Sequence, residues 1–368
     1  AVARETIKQA AALQAGVDRS QLETENGRVK FPDGTSKTYQ ELAAEAAKVD
    51  PVSDVELRKP SQWRMIGKPM LRSDIKAKST GQQGYGIDTK IDGMLFAAIK
   101  TNPRHGGSMI DYDASQAEAM RGVEKIIALE DGVAVIANNS WRAFQAVEAI
   151  STNWSDAPYP AEMDDHWELL EQSLEAKKGV RFRDKGNVDA AFAETVPTER
   201  VYRAPYLAHA PLDPLAATVW VQQDRVDVWA TAQIPRFVQS NVAKITRRNI
   251  ETVFVHMVPA GGSFGRRVED EFIKHAAIIA TQMPGTPIKL TYSREQDFAA
   301  DFPRQIAMAK ASGTVKDGQV NSLDLSIAMP SAIKSQMGRQ NIPVPVPDPG
   351  IVAGAWDQPF TIPNYRVS

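Results

Sequence analysis

Ala260-Gly261-Gly262-Ser263-Phe264-Gly265-Arg266-Arg267-Val268-Glu269-Asp270 is the stretch whose residue types and spacing could do chemistry. Three glycines around one aromatic residue let the backbone approach a bulky ligand closely. Arg266 and Arg267 could hold a pyrophosphate, because a guanidinium matches phosphate oxygens, or could lie on a solvated face. The flanking patterns predict a strand over Thr252–Met257 and a helix over Asp270–Gln282, whose N-terminus would offer N–H groups and positive potential to an anion. A tight turn without a ligand fits the same residues. Two nucleotide-binding readings fail: a dinucleotide fingerprint needs Gly-x-Gly-x-x-Gly and an acid about 20 residues on, and a phosphate loop needs Gly-Lys-Ser/Thr. His209 and Asp213 have the i, i+4 spacing of metal ligands on a helix, but Pro211 and Pro214 oppose a helix there, so a packed loop is expected. The scattered His105, His166, His256 and His275 read as structural or exposed.

The elements that must position the loop belong to a globular chain of 368 residues, 43% hydrophobic and 24% charged. A net charge of −2 offers no nucleic-acid surface, and no apolar run approaches the roughly 20 residues of a membrane helix. With no cysteine, the chain can supply neither a thiol nucleophile nor iron–sulfur ligands. Residues 1–58 predict a helix from Ala1 to Gly16, with Ala3, Ile7, Ala10, Ala11 and Leu13 toward one side. A hairpin follows around Asn26-Gly27, then a second helix capped by Thr38 with Glu41. Residues 59–158 predict an α+β module, with strands at Met94–Ile99, Ser108–Tyr112, Val123–Leu129 and Val133–Ala137 and helices at Ala114–Arg121 and Ser140–Ile150. Residues 159–185 read as a charged helical connector. From Gly186 strands dominate: Ala217–Val221 and Val226–Ala230 pair across Gln223-Asp224, with Trp220 and Trp229 as strand-face core. Pro235 opens a helix to Arg247, and Pro287–Tyr292 is a strand. Pro343–Pro349 predicts a stiff extended loop. The chain opens in helix-like sequence without Met and stops in strand-like sequence, which reads as a fragment or processed half of a larger subunit.

Two stretches then act together. Gly67-Lys68-Pro69, Arg72-x-Asp74, Lys78-Ser79-Thr80-Gly81, Tyr85-Gly86-Ile87-Asp88, Asp92-Gly93-Met94-Leu95, Asp111-Tyr112-Asp113-Ala114, Gly122-Val123 and Trp154 resemble the α/β hammerhead domain of the xanthine oxidase (molybdenum hydroxylase) family. Tyr202–Pro214, Thr231-Ala232-Gln233, the glycine loop and Thr291–Phe298 resemble that family's first molybdopterin-binding domain. The Gly265-Arg266-Arg267 doublet and the leading 1–58 unit place the resemblance nearest the large subunits of isoquinoline 1-oxidoreductase and membrane-associated aldehyde dehydrogenases. The implied fold is α+β: a helix-hairpin-helix unit over 1–58, a hammerhead over 59–158, the connector over 159–185, and the first half of a mixed α+β molybdopterin-binding domain over 186–368.

Carried over by position, Gln233 matches the glutamine beside the apical oxo ligand of molybdenum. Gly261, Gly262, Ser263, Phe264 and Gly265 match the loop whose backbone packs on the molybdopterin, with Arg266 and Arg267 beside them. Lys289 falls where some members have a substrate-orienting arginine, able to stabilise negative charge developing on substrate. Val268 replaces the substrate-binding glutamate of xanthine-oxidising members, which argues against a purine substrate. Asp213 shortens the usual glutamate of the His-x-x-x-Glu-Pro stretch and is expected to be structural. In this family molybdenum takes no protein ligand.

The resemblance implies an oxidoreductase bearing molybdenum on molybdopterin, in bacteria as its cytosine dinucleotide, that oxidises an aldehyde or N-heteroaromatic ring with water as the oxygen source. The family's catalytic glutamate has no counterpart here, so the rest of the large subunit is an expected partner. The others are a small subunit carrying two [2Fe-2S] clusters and, after it, a cytochrome c subunit. The expected location is the bacterial periplasm or the periplasmic face of the inner membrane, with the cytoplasm as the alternative. A non-catalytic scaffold presenting half a cofactor cleft is the competing reading.

Overall fold

A left-handed Gly16 (φ 65°) ends the first helix, Val2–Ala15 (α1), in the computed structural model of the chain. The structure describes residues 1–55, 57–176, 178–344 and 347–368; Lys177 of the connector and Pro345-Val346 of the proline-rich loop lie outside the described residues. Two compact units emerge, Ala1–Gly81 and Gln82–Ser368.

In the first unit, α1 buries Ala10, Ala11 and Ala12, while Leu13, expected on the packed side, is 65% exposed. Strands Glu23–Glu25 (β1) and Arg28–Lys30 (β2) turn through Asn26 and Gly27, both at positive φ as a tight two-residue hairpin requires. Ser36–Thr38 (β3), which the sequence pattern did not distinguish, pairs with β2. Tyr39–Ala46 (α2) starts with the expected capping box: Thr38 Oγ1 accepts from the Glu41 N–H, and the Thr38 N–H donates to Glu41. Ala11, Leu22, Val29 and Leu42 form the small core, and Ile75–Ser79 (α3) closes the unit.

The second unit begins with strands Leu95–Thr101 (β4) and Met109–Asp113 (β5), helix Ser115–Glu118 (α4), and strands Val123–Ala128 (β6) and Gly132–Ala137 (β7). Helix Ser140–Glu148 (α5), strand Ser151–Trp154 (β8), helix Met163–Glu175 (α6), strand Arg183–Lys185 (β9) and helix Val188–Glu194 (α7) follow. Strands Thr198–Ala204 (β10), Ala216–Val221 (β11) and Val226–Ala230 (β12) lead to helix Pro235–Thr246 (α8) and strand Val253–Met257 (β13). Helix Glu271–Thr281 (α9), strand Ile288–Thr291 (β14), helix Arg294–Ala299 (α10), strands Ala307–Lys316 (β15) and Gln319–Ala328 (β16), helix Ala332–Arg339 (α11) and strand Asn364–Val367 (β17) complete it.

These strands make a seven-stranded mixed sheet ordered β13-β12-β11-β14-β4-β7-β6, a five-stranded mixed sheet ordered β10-β15-β16-β17-β9, and the β5–β8 pair. The seven-stranded sheet explains its own sequence. β7 reads Gly-Val-Ala-Val-Ile-Ala because both faces are covered: Val133, Val135 and Ala137 pack with Ala143 and Val147 of α5, while Ala134 and Ile136 join the core under α9. α9 is apolar on most sides, with Phe272, Ile273, Ala276, Ile279 and Ala280 buried; each large side chain there contributes about 1.5–3 kcal/mol by leaving water. Trp220 and Trp229 are only half-buried, and Trp229 stacks on His256 at 4.7 Å between ring centroids. The β15–β16 hairpin, turned by Asp317 and Gly318 at positive φ, escaped the sequence pattern because Ala307–Lys316 is short of the β-branched and aromatic residues that mark strands.

Candidate functional site

β12 and β13 run parallel with α8 between them, so their carboxyl ends open on the same edge of the sheet. That edge is where open α/β arrangements place ligands. Thr231-Ala232-Gln233 follows β12, and the glycine loop follows β13. The Thr231 hydroxyl donates toward the carbonyls of Val258 (3.3 Å) and Pro259 (3.1 Å), tying the two strand ends together.

Gln233 and the loop meet directly. The Gln233 N–H donates to the Arg267 carbonyl at 2.8 Å, and the Ser263 hydroxyl donates to Gln233 Oε1 at 2.5 Å. Ser263 Oγ also accepts from the Arg267 N–H at 3.0 Å. Phe264 sits at φ 56°, a conformation costly for a bulky residue, and is 77% exposed at the loop tip. Gly262 (φ 108°) and Gly265 (φ 106°) have backbones that side chains rarely adopt, and a Cβ on Gly261 would collide with Asp213. The N–H groups of Gly262, Ser263, Phe264 and Gly265 find no acceptor among the described residues. Consecutive backbone donors around positive-φ residues are the kind of segment that can receive an anion or a negatively polarised oxygen.

The arginine doublet corrects the sequence reading. Neither guanidinium lines a ligand surface: Arg266 is 0% and Arg267 2% exposed. They lie in a 3-10 turn, Arg266–Val268, where adjacent side chains diverge by about 120°. Arg267 Nη2 donates to the Asp213 carbonyl (2.9 Å) and carboxylate (2.8 Å), and its Nη1 donates to the Gly262 carbonyl. Gly261 completes this brace, its N–H donating to Asp213 Oδ2 at 3.3 Å and its carbonyl accepting from the Asp213 N–H at 3.1 Å. Burial pushes the Asp213 carboxyl above its ordinary range despite the pull of Arg267. Arg266 instead donates to Glu271 and to the Ala300 carbonyl (3.3 Å), with Nε 3.3 Å from Asp301. Burial opposes its charge, but Glu271 outweighs burial and raises its pKa.

His209 and Asp213 thus serve different partners. The His209 N–H donates to Asp301 Oδ2 at 2.7 Å, and its Nδ1 lies 2.8 Å from Asp301 Oδ1. Asp301 was not singled out by the sequence; Arg294, quoted only within the Thr291–Phe298 stretch, has a definite role. Arg294 clamps the 211–212 segment through the Pro211 (2.7 Å) and Leu212 (2.9 Å) carbonyls. Burial pushes the Asp301 carboxyl up, but the hydrogen bonds from His209 outweigh burial and hold it below its ordinary 3.8. A carboxylate with a depressed folded pKa stabilises above its unfolded value and loses that contribution as pH falls through the folded one. Asp301→Asn is therefore expected to cost about 1–3 kcal/mol near neutrality. Denaturation midpoints should show the gap to wild type closing below pH 3.8; a gap constant down to strongly acidic pH would contradict this.

Lys289 points elsewhere than to the glycine loop. Its Nζ donates to the Ile87 (2.6 Å) and Thr89 (3.0 Å) carbonyls and lies 5.4 Å from the Phe96 ring centre, with its pKa lowered by burial. Its observed work is holding the Gly86–Asp88 turn, which reaches the loop's neighbourhood because Gly86 packs against Val258 and Thr231. Val268 is half-buried, its N–H donating to the Gly265 carbonyl at 3.0 Å. The helix N-terminus expected to greet an anion is occupied by acids: Glu269 pairs with Arg339, and Asp270 with Lys274 and Asn241. Two clefts of about 400 and 100 Å³ share Gly106, Gly107, Asp131, Glu271 and His275, and no residue of the 260–268 loop lines either. Among the described residues no cluster of three His, Asp or Glu could hold a metal ion.

Residues 172–368 match the family of molybdopterin cofactor-binding domains. The chain is 27% identical to isoquinoline 1-oxidoreductase subunit beta of Brevundimonas diminuta, over 90% of this chain and 48% of that one. It is 26% identical to a membrane-bound aldehyde dehydrogenase of Gluconacetobacter polyoxogenes, over 74% and 37%. The fold is similar to aldehyde oxidoreductase from Desulfovibrio gigas (TM-score 0.63, 18% identity), covering 89% of this chain and 41% of that one. The chain spans about half or less of the length of these relatives.

Proposed function

Because the chain belongs to the family of molybdopterin cofactor-binding domains, we propose that it forms one wall of the active site of a molybdenum-dependent oxidoreductase acting on an aldehyde or an N-heteroaromatic ring. The observation that carries this is the row of uncommitted N–H donors at Gly262–Gly265, with the exposed Gln233 amide beside it. These groups fit a ligand rich in polarised oxygen and sulfur acceptors, and a glycine-lined backbone lets it come close. The cofactor, in this reading the cytosine dinucleotide of molybdopterin, supplies the two-electron redox chemistry, with water as the oxygen source.

The chain's own share is to hold and orient. The loop donors would hold the cofactor, the Gln233 amide would donate to an acceptor on it, and Phe264, exposed beside them, would pack against the substrate. The braces through Arg266 and Arg267 keep those donors fixed in advance, which is how a site gains electrostatic stabilisation without reorganising during reaction. Lys289 acts through the Ile87–Thr89 turn. Val268 cannot hydrogen-bond a purine edge, which supports a substrate other than xanthine.

In the same reading, residues 1–58 lead into a hammerhead module over 59–158, and the connector over 159–185 joins it to the cofactor-binding domain. The catalytic glutamate lies on further polypeptide, electrons leave through a two-cluster iron–sulfur subunit and then a cytochrome c, and the complex works in the bacterial periplasm or at its membrane face. Relatives roughly twice as long support a working enzyme larger than this chain.

Molybdenum and pterin analysis tests the proposal. The complex assembled around the full subunit should contain both, and this chain alone should retain neither firmly, since Phe264 and Gln233 lie on an open surface. A catalytically competent complex lacking molybdenum would overturn the reading. A metal-free complex without activity would favour the scaffold alternative.

A further inference from the structure

The hydrogen bonds around Ser263 favour one direction for its contact with Gln233. A hydroxyl has one proton and two lone pairs. Ser263 Oγ accepts from the Arg267 N–H at 3.0 Å, so its own proton is available for Gln233 Oε1, 2.5 Å away. In the flipped amide, Nε2 could still donate into the second lone pair of Ser263 Oγ, but the hydroxyl proton would have no acceptor among the described residues. The orientation with Oε1 on Ser263 gives the hydroxyl proton its acceptor and leaves both Nε2 hydrogens without a partner among the described residues. Gln233 is otherwise an exposed side chain after a strand end, with several rotamers open to it. Its backbone is pinned by the same turn, through its N–H to the Arg267 carbonyl at 2.8 Å.

We propose that Ser263 is the positioning residue for Gln233, its hydroxyl selecting the amide orientation that presents two N–H donors to the ligand. The role lies in the side chain, distinct from the backbone donors of the loop, and its bearing on catalysis rests on the function proposed above. Ser263 is not at positive φ, so Ala and Thr fit its backbone, and Thr keeps the hydroxyl.

Two measurements separate this inference from the reading it rests on. In the chain alone, labelled at glutamine side-chain nitrogen, NMR should show the Gln233 amide held rigid in wild type and Ser263→Thr, and mobile in Ser263→Ala. A rigid amide in Ser263→Ala would overturn the proposal whether or not any enzyme contains molybdenum. In the complete complex, Ser263→Ala should keep molybdenum and pterin at wild-type levels and lower kcat on the order of tenfold, with KM little changed. The paramagnetic resonance spectrum of the partially reduced cofactor should shift, and Ser263→Thr should restore both readouts. Wild-type kcat and spectrum in Ser263→Ala, or loss of molybdenum that Thr does not restore, would overturn it. A wild-type complex without molybdenum would refute the proposed function, leaving the NMR result to decide the positioning role.

Discussion

Replacing Arg267 by Met is expected to lower the unfolding free energy by about 3–5 kcal/mol, among the largest losses from a single substitution in this chain. Methionine keeps most of the apolar stem but removes three hydrogen bonds, to the Gly262 carbonyl and to the Asp213 carbonyl and carboxylate. What remains is a carboxylate 9% exposed with its cationic partner gone. Leaving one charge of a buried pair uncompensated costs more than the pair contributes when intact. The pH dependence follows from Asp213, whose carboxyl burial already pushes upward. Without Arg267 the folded state should take up a proton there more readily. The mutant's deficit should therefore be largest at alkaline pH and shrink as pH falls toward the raised Asp213 value. Urea unfolding at two pH values, with Asp213→Asn/Arg267→Met as the compensated pair, measures this. A deficit below about 1 kcal/mol, or no recovery in the double variant, would contradict a buried brace.

The doublet shows what a sequence pattern can and cannot reveal. The strand before the loop and the helix after it, the helix after Pro235 and the capping box at Thr38 were legible because their signals are local: periodicity, a turn residue, a cap spaced three residues from its glutamate. Gln233 and the loop were brought together only by the family resemblance, and the structure places them in hydrogen-bond contact. The destinations of Arg266 and Arg267 were not legible. Asp213 and Asp301 lie far from the doublet along the chain, and an arginine next to glycines looks the same whether it faces phosphate or a buried carboxylate. The signal that could have pointed inward is the surplus of acids nearby: Glu269, Asp270 and Glu271 after the doublet, then Asp297 and Asp301. An anion site would be poorly served by so many carboxylates, whereas two buried guanidinium groups require them. In the structure the backbone N–H groups of Gly262–Gly265 are left without acceptors among the described residues, and the Arg267 side chain holds that backbone in place.

Within the proposed function, Gln233→Ala in the complete complex is expected to lower turnover about a hundredfold, the scale of losing one donor aimed at developing charge in a dry site. Molybdenum and pterin contents should stay near wild type, because the loop donors at Gly262–Gly265 and the braces beneath them do not pass through the Gln233 side chain. Stability should change little, since the residue is exposed and alanine retains the N–H to Arg267, losing only the exposed side-chain contact with Ser263. KM should move less than kcat, because a donor that strengthens with developing charge acts on the transition state more than on bound substrate. Gln233→Glu sharpens the comparison: it preserves length and the acceptor for Ser263, but replaces the two Nε2 hydrogens with a carboxylate oxygen facing the ligand. It should fall below Gln233→Ala, because it removes the donor and adds repulsion toward any negatively polarised oxygen. Steady-state kinetics alongside metal analysis distinguishes the outcomes. Unchanged turnover in Gln233→Ala would remove the amide from the reaction, and a parallel loss of molybdenum would make it a cofactor anchor.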